Sequence, residues 1–264
     1  MSTHGLAPQL FVTQSAEEGP AIAARLCKRG DNPLIIVGGG DGTINGVANG
    51  LIPGTATLAV LPLGTANVLA KEIGIRSVDD AVARIVRGTT RPCAAGVVKG
   101  HEKERRFLLM AGVGFDARVV QQTRSAHKKI LKQGAYLLAG LKCLWSWERD
   151  LLQVTLDGGE TVACHSVVVC NAARYGGGFR LAPEADLFDP GFQVVCITDS
   201  TPAAIALLVA ATIIGRPLQF PGIRRFPAAR VAVAGKKPVQ IDGDKWEDAP
   251  VLIEPIASFA KIIL

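Results

Sequence analysis

Hydrophobic and polar positions along the first 90 residues change period repeatedly, which predicts alternating strands and helices. Short β-branched runs such as Leu34–Val37 are typical of strands buried in a parallel sheet. The predicted elements are helices over Gln14–Arg29, Thr43–Leu51, Asn67–Ile73 and Ser77–Arg87, and strands over Leu34–Val37 and Thr57–Leu61. Ser77 is expected to cap the helix that it opens. This order predicts an α/β layer with parallel strands.

The pattern changes after Arg91-Pro92, where short strand-like runs separated by turn residues replace the alternation. The predicted strands are Phe107–Ala111, Leu152–Leu156, Ser166–Cys170, Gln193–Thr198, Arg230–Ala234 and Pro238–Ile241. Two helices, Ala117–Trp147 and Pro202–Ile214, are expected to interrupt them. We therefore predict an α/β domain over residues 1–91 and a β-rich domain over 92–251. A C-terminal strand over about residues 252–264 is expected to return to the first domain.

Composition narrows the classes of partner. The net charge of +6 suggests anionic ligands such as nucleotide phosphates or lipid headgroups. Aromatic residues make up 5% of the chain, which argues against a nucleic-acid partner that needs stacking platforms. No secretory signal is visible, and the longest apolar run, Ala203–Gly215, is shorter than the roughly 20 residues that span a bilayer. These features predict a cytoplasmic protein that touches a membrane at most peripherally.

A glycine-rich loop, Gly38-Gly39-Gly40-Asp41-Gly42-Thr43, follows the first predicted strand. Glycine lets phosphate oxygens approach backbone N–H groups, and the following helix directs its positive end to the same place. The loop lacks the glycine spacing of the dinucleotide-binding motif, and the chain contains no Gly-Lys-Ser/Thr tripeptide. It is interpreted as a nucleotide-phosphate loop. The alternative is a plain strand–helix turn in which Asp41 is an ordinary cap.

A second loop, Leu61-Pro62-Leu63-Gly64-Thr65-Ala66-Asn67, repeats this geometry one strand later. Both loops are then expected at the same carboxyl edge of the sheet, where open α/β sheets bind ligands. Near the end of the chain, Asp242-Gly243-Asp244 places two carboxylates beside a glycine. Phosphate transfer to an alcohol needs a proton acceptor and Mg²⁺, and such a pair could supply both functions. An Asp-Gly hairpin turn in solvent is the alternative interpretation.

Together these three segments resemble the catalytic region of the diacylglycerol kinase and sphingosine kinase family, in particular its bacterial soluble lipid kinases. Two further stretches fit the same family, Ala111–Ala117 and the Asn171–Phe179 segment with Ala182–Asp186 after it. The resemblance runs from about Thr13 to Asp244. It implies an α/β nucleotide-binding domain like that of NAD kinases and phosphofructokinases, followed by a β-sandwich-like domain, with ATP between them.

The resemblance also implies roles for individual residues. The residues expected to bind ATP are Thr13, Gly39, Gly40, Asp41, Gly42, Thr43, Asn45 and Thr65. Asp242 corresponds to the general base that acts on the lipid hydroxyl, and Asp244 would act through water on the catalytic Mg²⁺, as would Asp41. Asp189 would be the side-chain ligand of a second, structural Mg²⁺, with the carbonyls of Asp186 and Gly191.

Two features depart from the family pattern. Many relatives carry an aspartate of the magnesium network at the position of Val68. The chain also begins close to its first helix, without the opening strand and its Asn-Pro…Gly segment.

The segment between Arg118 and Trp147 carries basic residues and tryptophans. It is interpreted as an amphipathic helix that packs on its own domain, and contact of this helix with an anionic membrane is the alternative. The rival functions are a soluble-metabolite kinase of the NAD-kinase type and a catalytically impaired nucleotide-binding homologue. A homodimer is left open.

Overall fold

The computed structural model describes residues 7–114, 117, 150–176, 179–199, 201, 204, 207 and 222–264. Apart from single positions, the helices predicted over 117–147 and 202–214 lie outside the described residues. The described helices are α1 (Glu18–Cys27), α2 (Asp41–Gly50), α3 (Val68–Glu72) and α4 (Val78–Arg87). Each corresponds to a predicted helix, with ends that differ by a few residues.

The described residues form sixteen strands. They are β1 (Leu34–Gly39), β2 (Thr57–Pro62), β3 (Thr90–Lys99), β4 (Glu104–Phe107), β5 (Met110–Val113), β6 (Leu152–Leu156), β7 (Thr161–Cys164), β8 (Ser166–Cys170), β9 (Arg174–Tyr175), β10 (Phe179–Arg180), β11 (Phe192–Ile197), β12 (Ile223–Ala228), β13 (Val231–Ala234), β14 (Pro238–Ile241), β15 (Asp244–Asp248) and β16 (Val251–Ile263).

β1 and β2 are parallel and in register, from Leu34 opposite Thr57 to Gly39 opposite Pro62. The apolar residues of β2 at positions 58–60 are almost completely buried, as expected of a strand covered on both faces. Parallel pairing brings the carboxyl ends of both strands to one edge of the sheet. The glycine loops that follow them are therefore neighbours.

The long strand β16 joins the two halves of the chain. It pairs in parallel with β2, where Lys261 lies opposite Thr57, and antiparallel with β3 and β13. Among the described residues, one sheet thus runs in the order β1-β2-β16-β13-β6-β7, with β3 and β4 attached to it through β16. The division of the chain into domains at residue 91 stays a prediction.

A second, antiparallel sheet within the described part of the chain has the order β12-β11-β8-β5-β14-β15. Its apolar face packs against the first sheet in a shared buried cluster. Phe107 of β4 stacks on Phe192 of β11 with ring centroids 5.8 Å apart. An α/β layer followed by a β-sandwich-like unit is the predicted fold class, and it is confirmed.

The strand predicted over Phe107–Ala111 is instead two strands, and the break has a physical cause. β4 ends at Phe107 and β5 begins at Met110. The N–H groups of Leu108 and Leu109 point at the Asp242 carboxylate rather than at a neighbouring strand. A continuous apolar run was therefore misread as one strand, because its backbone hydrogen bonds go to a side chain distant in sequence.

Ser77 provides a local test of the fold. Its Oγ accepts a hydrogen bond of 3.1 Å from the Asp80 N–H, which satisfies one of the free donors in the first turn of α4. We expect Ser77→Ala to lower the free energy of unfolding by about 1 kcal/mol, measured by urea denaturation. Ser77→Asp keeps an acceptor at this position and should lose much less. Equal losses in both variants would contradict a capping role.

Candidate active site

The two glycine loops touch each other at the edge of the sheet. The Leu63 N–H donates to the Gly39 carbonyl at 3.2 Å. A Cβ built on Gly64 would lie 2.4 Å from the Gly40 Cα, so no other residue fits at position 64 without moving the first loop. The prediction that both loops lie at one edge is confirmed. Glycine is needed here because two backbones approach each other closely.

Asp41 connects the two loops. α2 begins at Asp41, two residues earlier than the predicted start at Thr43. The Asp41 carboxylate accepts hydrogen bonds of 3.0 Å from the N–H groups of Val68 and Leu69, the first residues of α3. Asp41, which belongs to the first loop, thus fixes the position of the chain at the end of the second loop. The Val68 side chain is buried.

Four of the other predicted nucleotide contacts are exposed. Gly42, Thr43 and Thr65 are exposed at the loop edge, where their polar groups can reach a ligand. Thr13 is exposed on the segment that precedes α1. Their contacts with a nucleotide stay predictions.

The side chain of Asn45, another predicted nucleotide residue, is hydrogen-bonded within the protein. Asn45 is 2% exposed. Its Nδ2 donates to the Asp242 carboxylate at 2.7 Å and to the Arg106 carbonyl at 3.0 Å. Its Oδ1 accepts from Arg105 at 3.2 Å and from Asn49 at 3.1 Å. The Asn45 side chain therefore links α2, which carries the phosphate loop, to the second sheet.

Three residues of this network were not found by sequence reasoning: Asn49, Arg105 and Arg106. The Asn49 amide accepts from the Arg106 N–H at 2.8 Å and donates to the Arg106 carbonyl at 3.0 Å. The Arg106 guanidinium donates to the Leu51 carbonyl at 2.7 Å, at the end of α2. Because these contacts join residues more than 50 positions apart, neither a periodicity nor a local motif indicates them.

Asp242 occupies a two-residue hairpin turn, but its side chain is not in solvent. Asp242 and Gly243 have φ values of 47° and 84°, as a tight turn between β14 and β15 requires. The carboxylate accepts hydrogen bonds from the backbone N–H groups of Leu108, Leu109 and Met110, at 2.8, 3.0 and 2.9 Å. With the Asn45 amide, four donors surround it. The predicted Asp-Gly hairpin turn is present, but its aspartate side chain faces the protein rather than solvent. The role of Asp242 as general base stays a prediction.

The protonation of Asp242 is set by its enclosure. Burial raises the pKa of the Asp242 carboxyl to about 6, because the lost solvation of the charged form outweighs the four hydrogen bonds that favour that form. A carboxylate with such a pKa is largely ionised at neutral pH and still basic enough to accept a proton.

Asp244 lies next to Asp242 in the same hairpin and forms an ion pair. Its Oδ2 is 2.6 Å from a guanidinium nitrogen of Arg105, and both side chains are about one quarter exposed. The same nitrogen of Arg105 donates to Asn45. Asp242 and Asp244 therefore both connect to Asn45, the first directly and the second through Arg105.

The segment proposed for a second metal ion forms a compact loop. The Asp186 carbonyl accepts from the Asp189 N–H at 3.0 Å, and the Asp189 carbonyl accepts from the Gly191 N–H at 2.9 Å. The Asp186 carboxylate accepts from the Phe188 N–H at 3.0 Å, and the side chain of Asp189 is exposed. Oxygen donors of this kind suit Mg²⁺. Among the described residues, no cluster of three or more His, Cys, Asp or Glu side chains is present, so a metal ion here would also need carbonyl or water ligands.

Comparisons with known proteins identify the family. Residues 1–98 match the family model described as "Diacylglycerol kinase catalytic domain", and residues 110–263 match "YegS C-terminal NAD kinase beta sandwich-like domain". The chain belongs to this family of diacylglycerol kinases and YegS-like lipid kinases. The predictions of the family and of a lipid kinase are confirmed at that level.

Individual relatives agree. A protein named diacylglycerol kinase from Bacillus subtilis is 32% identical over 219 residues, which cover 80% of this chain and 70% of that protein. A Pseudomonas aeruginosa protein named "probable lipid kinase YegS-like" is 31% identical over 230 residues, covering 81% of this chain and 70% of that protein. A crystal structure of a diacylglycerol kinase from Bacillus anthracis has a TM-score of 0.71 at 21% identity, covering 95% of this chain and 82% of that one, and supports the fold.

No helix within the described residues is long and apolar enough to cross a membrane.

Proposed function

We propose that this protein is an ATP-dependent lipid kinase that transfers the γ-phosphate of Mg-ATP to the hydroxyl of a lipid such as diacylglycerol or a sphingoid base. One contact carries the proposal: the Asp242 carboxylate accepts a 2.7 Å hydrogen bond from Asn45, which lies one turn after the glycine loop in α2. The candidate proton acceptor is thereby held beside the candidate phosphate loop. Phosphate transfer needs this proximity.

The nucleotide part of the site uses the backbone of the first loop. Gly39–Thr43 spans the end of β1 and the start of α2, whose free N–H groups attract anionic oxygens. The Thr65 hydroxyl on the second loop is exposed at the same edge. The contact between Gly40 and Gly64 keeps the two loops in a fixed relation, so the phosphates meet a preorganised surface.

Asp242 is proposed to accept the proton of the lipid hydroxyl. The Asn45 amide is the side-chain donor among the four groups that hold this carboxylate, and the backbone donors are fixed in the β4–β5 connection. Because these four donors fill the lone pairs of the carboxylate, an incoming proton must displace one of the hydrogen bonds. Arg105 holds Asp244 beside this carboxylate.

Mg²⁺ is proposed to bind at this site through its coordinated water molecules rather than directly to the carboxylates. The oxygens of the Asp41 carboxylate each accept one hydrogen bond from α3, and a carboxylate oxygen can accept two. Asp41 and Asp244 would therefore hold the ion through its water shell, whereas Asp242 has no lone pair left for it. When bound, the ion neutralises charge on the phosphates. Asp186, Asp189 and Gly191 are proposed to hold a second, structural Mg²⁺.

A lipid substrate implies contact with a membrane surface. We therefore propose that the protein is cytoplasmic and associates peripherally with the membrane. The basic residues considered for that contact, at positions 124–132, lie outside the described residues.

The test is an acceptor panel. The purified full chain is incubated with labelled ATP and Mg²⁺, and with diacylglycerol, a sphingoid base or NAD as acceptor. Label in a lipid product supports the proposal and names the lipid class. Label transferred to NAD alone would establish the NAD-kinase type of function instead. ATP binding without transfer to any acceptor would favour the catalytically impaired homologue.

The raised pKa of Asp242 predicts the pH profile of the reaction. Because transfer needs the ionised carboxylate, kcat/KM for the lipid should fall about tenfold per pH unit below pH 6 and level off above it. The folded state binds this proton more tightly than the unfolded state. The contribution of the group to stability is therefore complete below about pH 4 and is lost as the pH rises through 6.

The measurement is the rate of lipid phosphorylation between pH 5 and 8 at saturating ATP. Asp248→Asn, which changes an exposed carboxyl on β15 of the same hairpin, should keep the inflection. A flat profile between pH 5 and 7 would remove Asp242 from the proton-accepting role.

A further inference from the structure

A basic cavity lies where the end of the second loop, α3 and the segment after α3 meet β9. It is open and has a volume of about 500 Å³. Its lining is formed by Asn67, Lys71, Gly74, Ile75, Arg76 and Arg174. Three of these six residues are cationic and none is acidic. We propose that this cavity binds the phosphate of a phosphomonoester, from either a phospholipid headgroup or a free phosphate compound.

Two acidic residues close to the cavity in sequence, Glu72 and Asp80, are hydrogen-bonded to other groups. The Glu72 carboxylate accepts hydrogen bonds of 3.1 Å from the N–H groups of Ala173 and Arg174, and lies 3.7 Å from the Arg174 guanidinium. The Asp80 carboxylate accepts from the Arg76 N–H at 2.9 Å and from the Arg84 side chain at 3.0 Å. These carboxylates orient the chain segments that carry the cations, and they reduce the local positive charge without lining the cavity.

The floor of the cavity is held in place before any ligand arrives. The Arg84 guanidinium donates to the carbonyls of Ile73 and Gly74, at 3.1 and 2.8 Å. The Ile75 N–H donates to the Ala70 carbonyl at 2.8 Å. The segment between α3 and α4 is therefore fixed at both ends, so binding need not order its backbone. Preorganisation of this kind favours affinity.

The chemistry of the lining selects the ligand class. Two guanidinium groups and one ammonium group match the charge of a phosphomonoester dianion, and guanidinium groups bind phosphate oxygens in pairs. A cavity of this volume exceeds the size of inorganic phosphate and leaves room for an attached group. Asn67 belongs to the second glycine loop, but none of the residues expected to bind ATP contributes to the lining.

The test measures binding and needs no catalysis, so it is independent of the proposed kinase activity. Isothermal titration calorimetry of the full chain at low salt uses two probes, inorganic phosphate and short-chain phosphatidic acid below its micelle concentration. The double variant Lys71→Gln/Arg76→Gln should weaken binding of the better probe by about tenfold or more. The matched control Arg29→Gln/Arg87→Gln removes two exposed cations elsewhere and should bind like the parent.

Tighter binding of phosphatidic acid than of inorganic phosphate would support a lipid headgroup as the source, and equal binding would support a free phosphate compound. Three results would overturn the site: no binding of either probe, equal loss in both double variants, or displacement of the probe by a non-hydrolysable ATP analogue. The last would assign the cations to the nucleotide site.

Discussion

Asp242→Asn is expected to reduce lipid phosphorylation by at least about 100-fold and the free energy of unfolding by about 2 kcal/mol or more. The activity falls because an amide cannot accept the proton. The stability falls because an amide NH₂ group would face backbone N–H donors that now meet a carboxylate oxygen. At least one buried donor is then left without an acceptor.

Both effects are measured on the same preparation, by a lipid phosphorylation assay and by urea denaturation. Asp248→Asn is the matched control, since it makes the same chemical change at an exposed position of the same hairpin. It should retain activity and stability. Unchanged turnover in Asp242→Asn would exclude Asp242 as proton acceptor, and unchanged stability would show that no buried donor loses its acceptor without compensation.

Gly64→Ala is expected to separate the two glycine loops and weaken ATP binding by about tenfold or more. The new Cβ would lie 2.4 Å from the Gly40 Cα and 2.8 Å from the Asn67 Oδ1. Because the nearest atom belongs to the backbone, the strain cannot be relieved by a side-chain rotation. Forced rearrangement of this kind costs about 1–3 kcal/mol.

A fluorescent ATP analogue reports the affinity directly. Gly46→Ala is the matched control in α2, where a Cβ would meet its nearest neighbours at 4.0 Å. This variant should bind the analogue normally and gain about 0.5–1 kcal/mol of stability, because alanine favours the helix. Equal affinities of the parent and Gly64→Ala would show that the loop contact is not needed for the nucleotide.

The edge of the parallel sheet could be predicted because its signals are local. A buried β-branched run followed by glycines and a helical period indicates a strand, a loop and a helix in succession. Two such units that follow each other in sequence place their two loops side by side. The close approach of Gly40 and Gly64 agrees with this. The Asp242-Gly243 turn was indicated in the same way, by a dipeptide that favours positive φ values.

The network that joins the two halves could not be predicted, because its partners are distant in sequence. Arg105 lies within a polar run whose side chains carry no periodic signal, yet it connects Asp244 to Asn45. From the sequence alone, Val68 was interpreted only as the absence of an aspartate that the family resemblance implies. The structure shows that the Asp41 carboxylate accepts a hydrogen bond from the backbone N–H of residue 68, which every residue except proline can donate.

Transfer of labelled phosphate from ATP into a lipid, compared between the parent chain and Asp244→Asn, tests most directly that the glycine loops and the Asp242–Asp244 hairpin form one kinase site. The account predicts label in the lipid product with the parent chain. It predicts a loss of at least about tenfold with the variant, while calorimetry shows that the variant is folded. A folded, ATP-binding parent chain that transfers no phosphate to any lipid, or a variant as active as the parent, would contradict it.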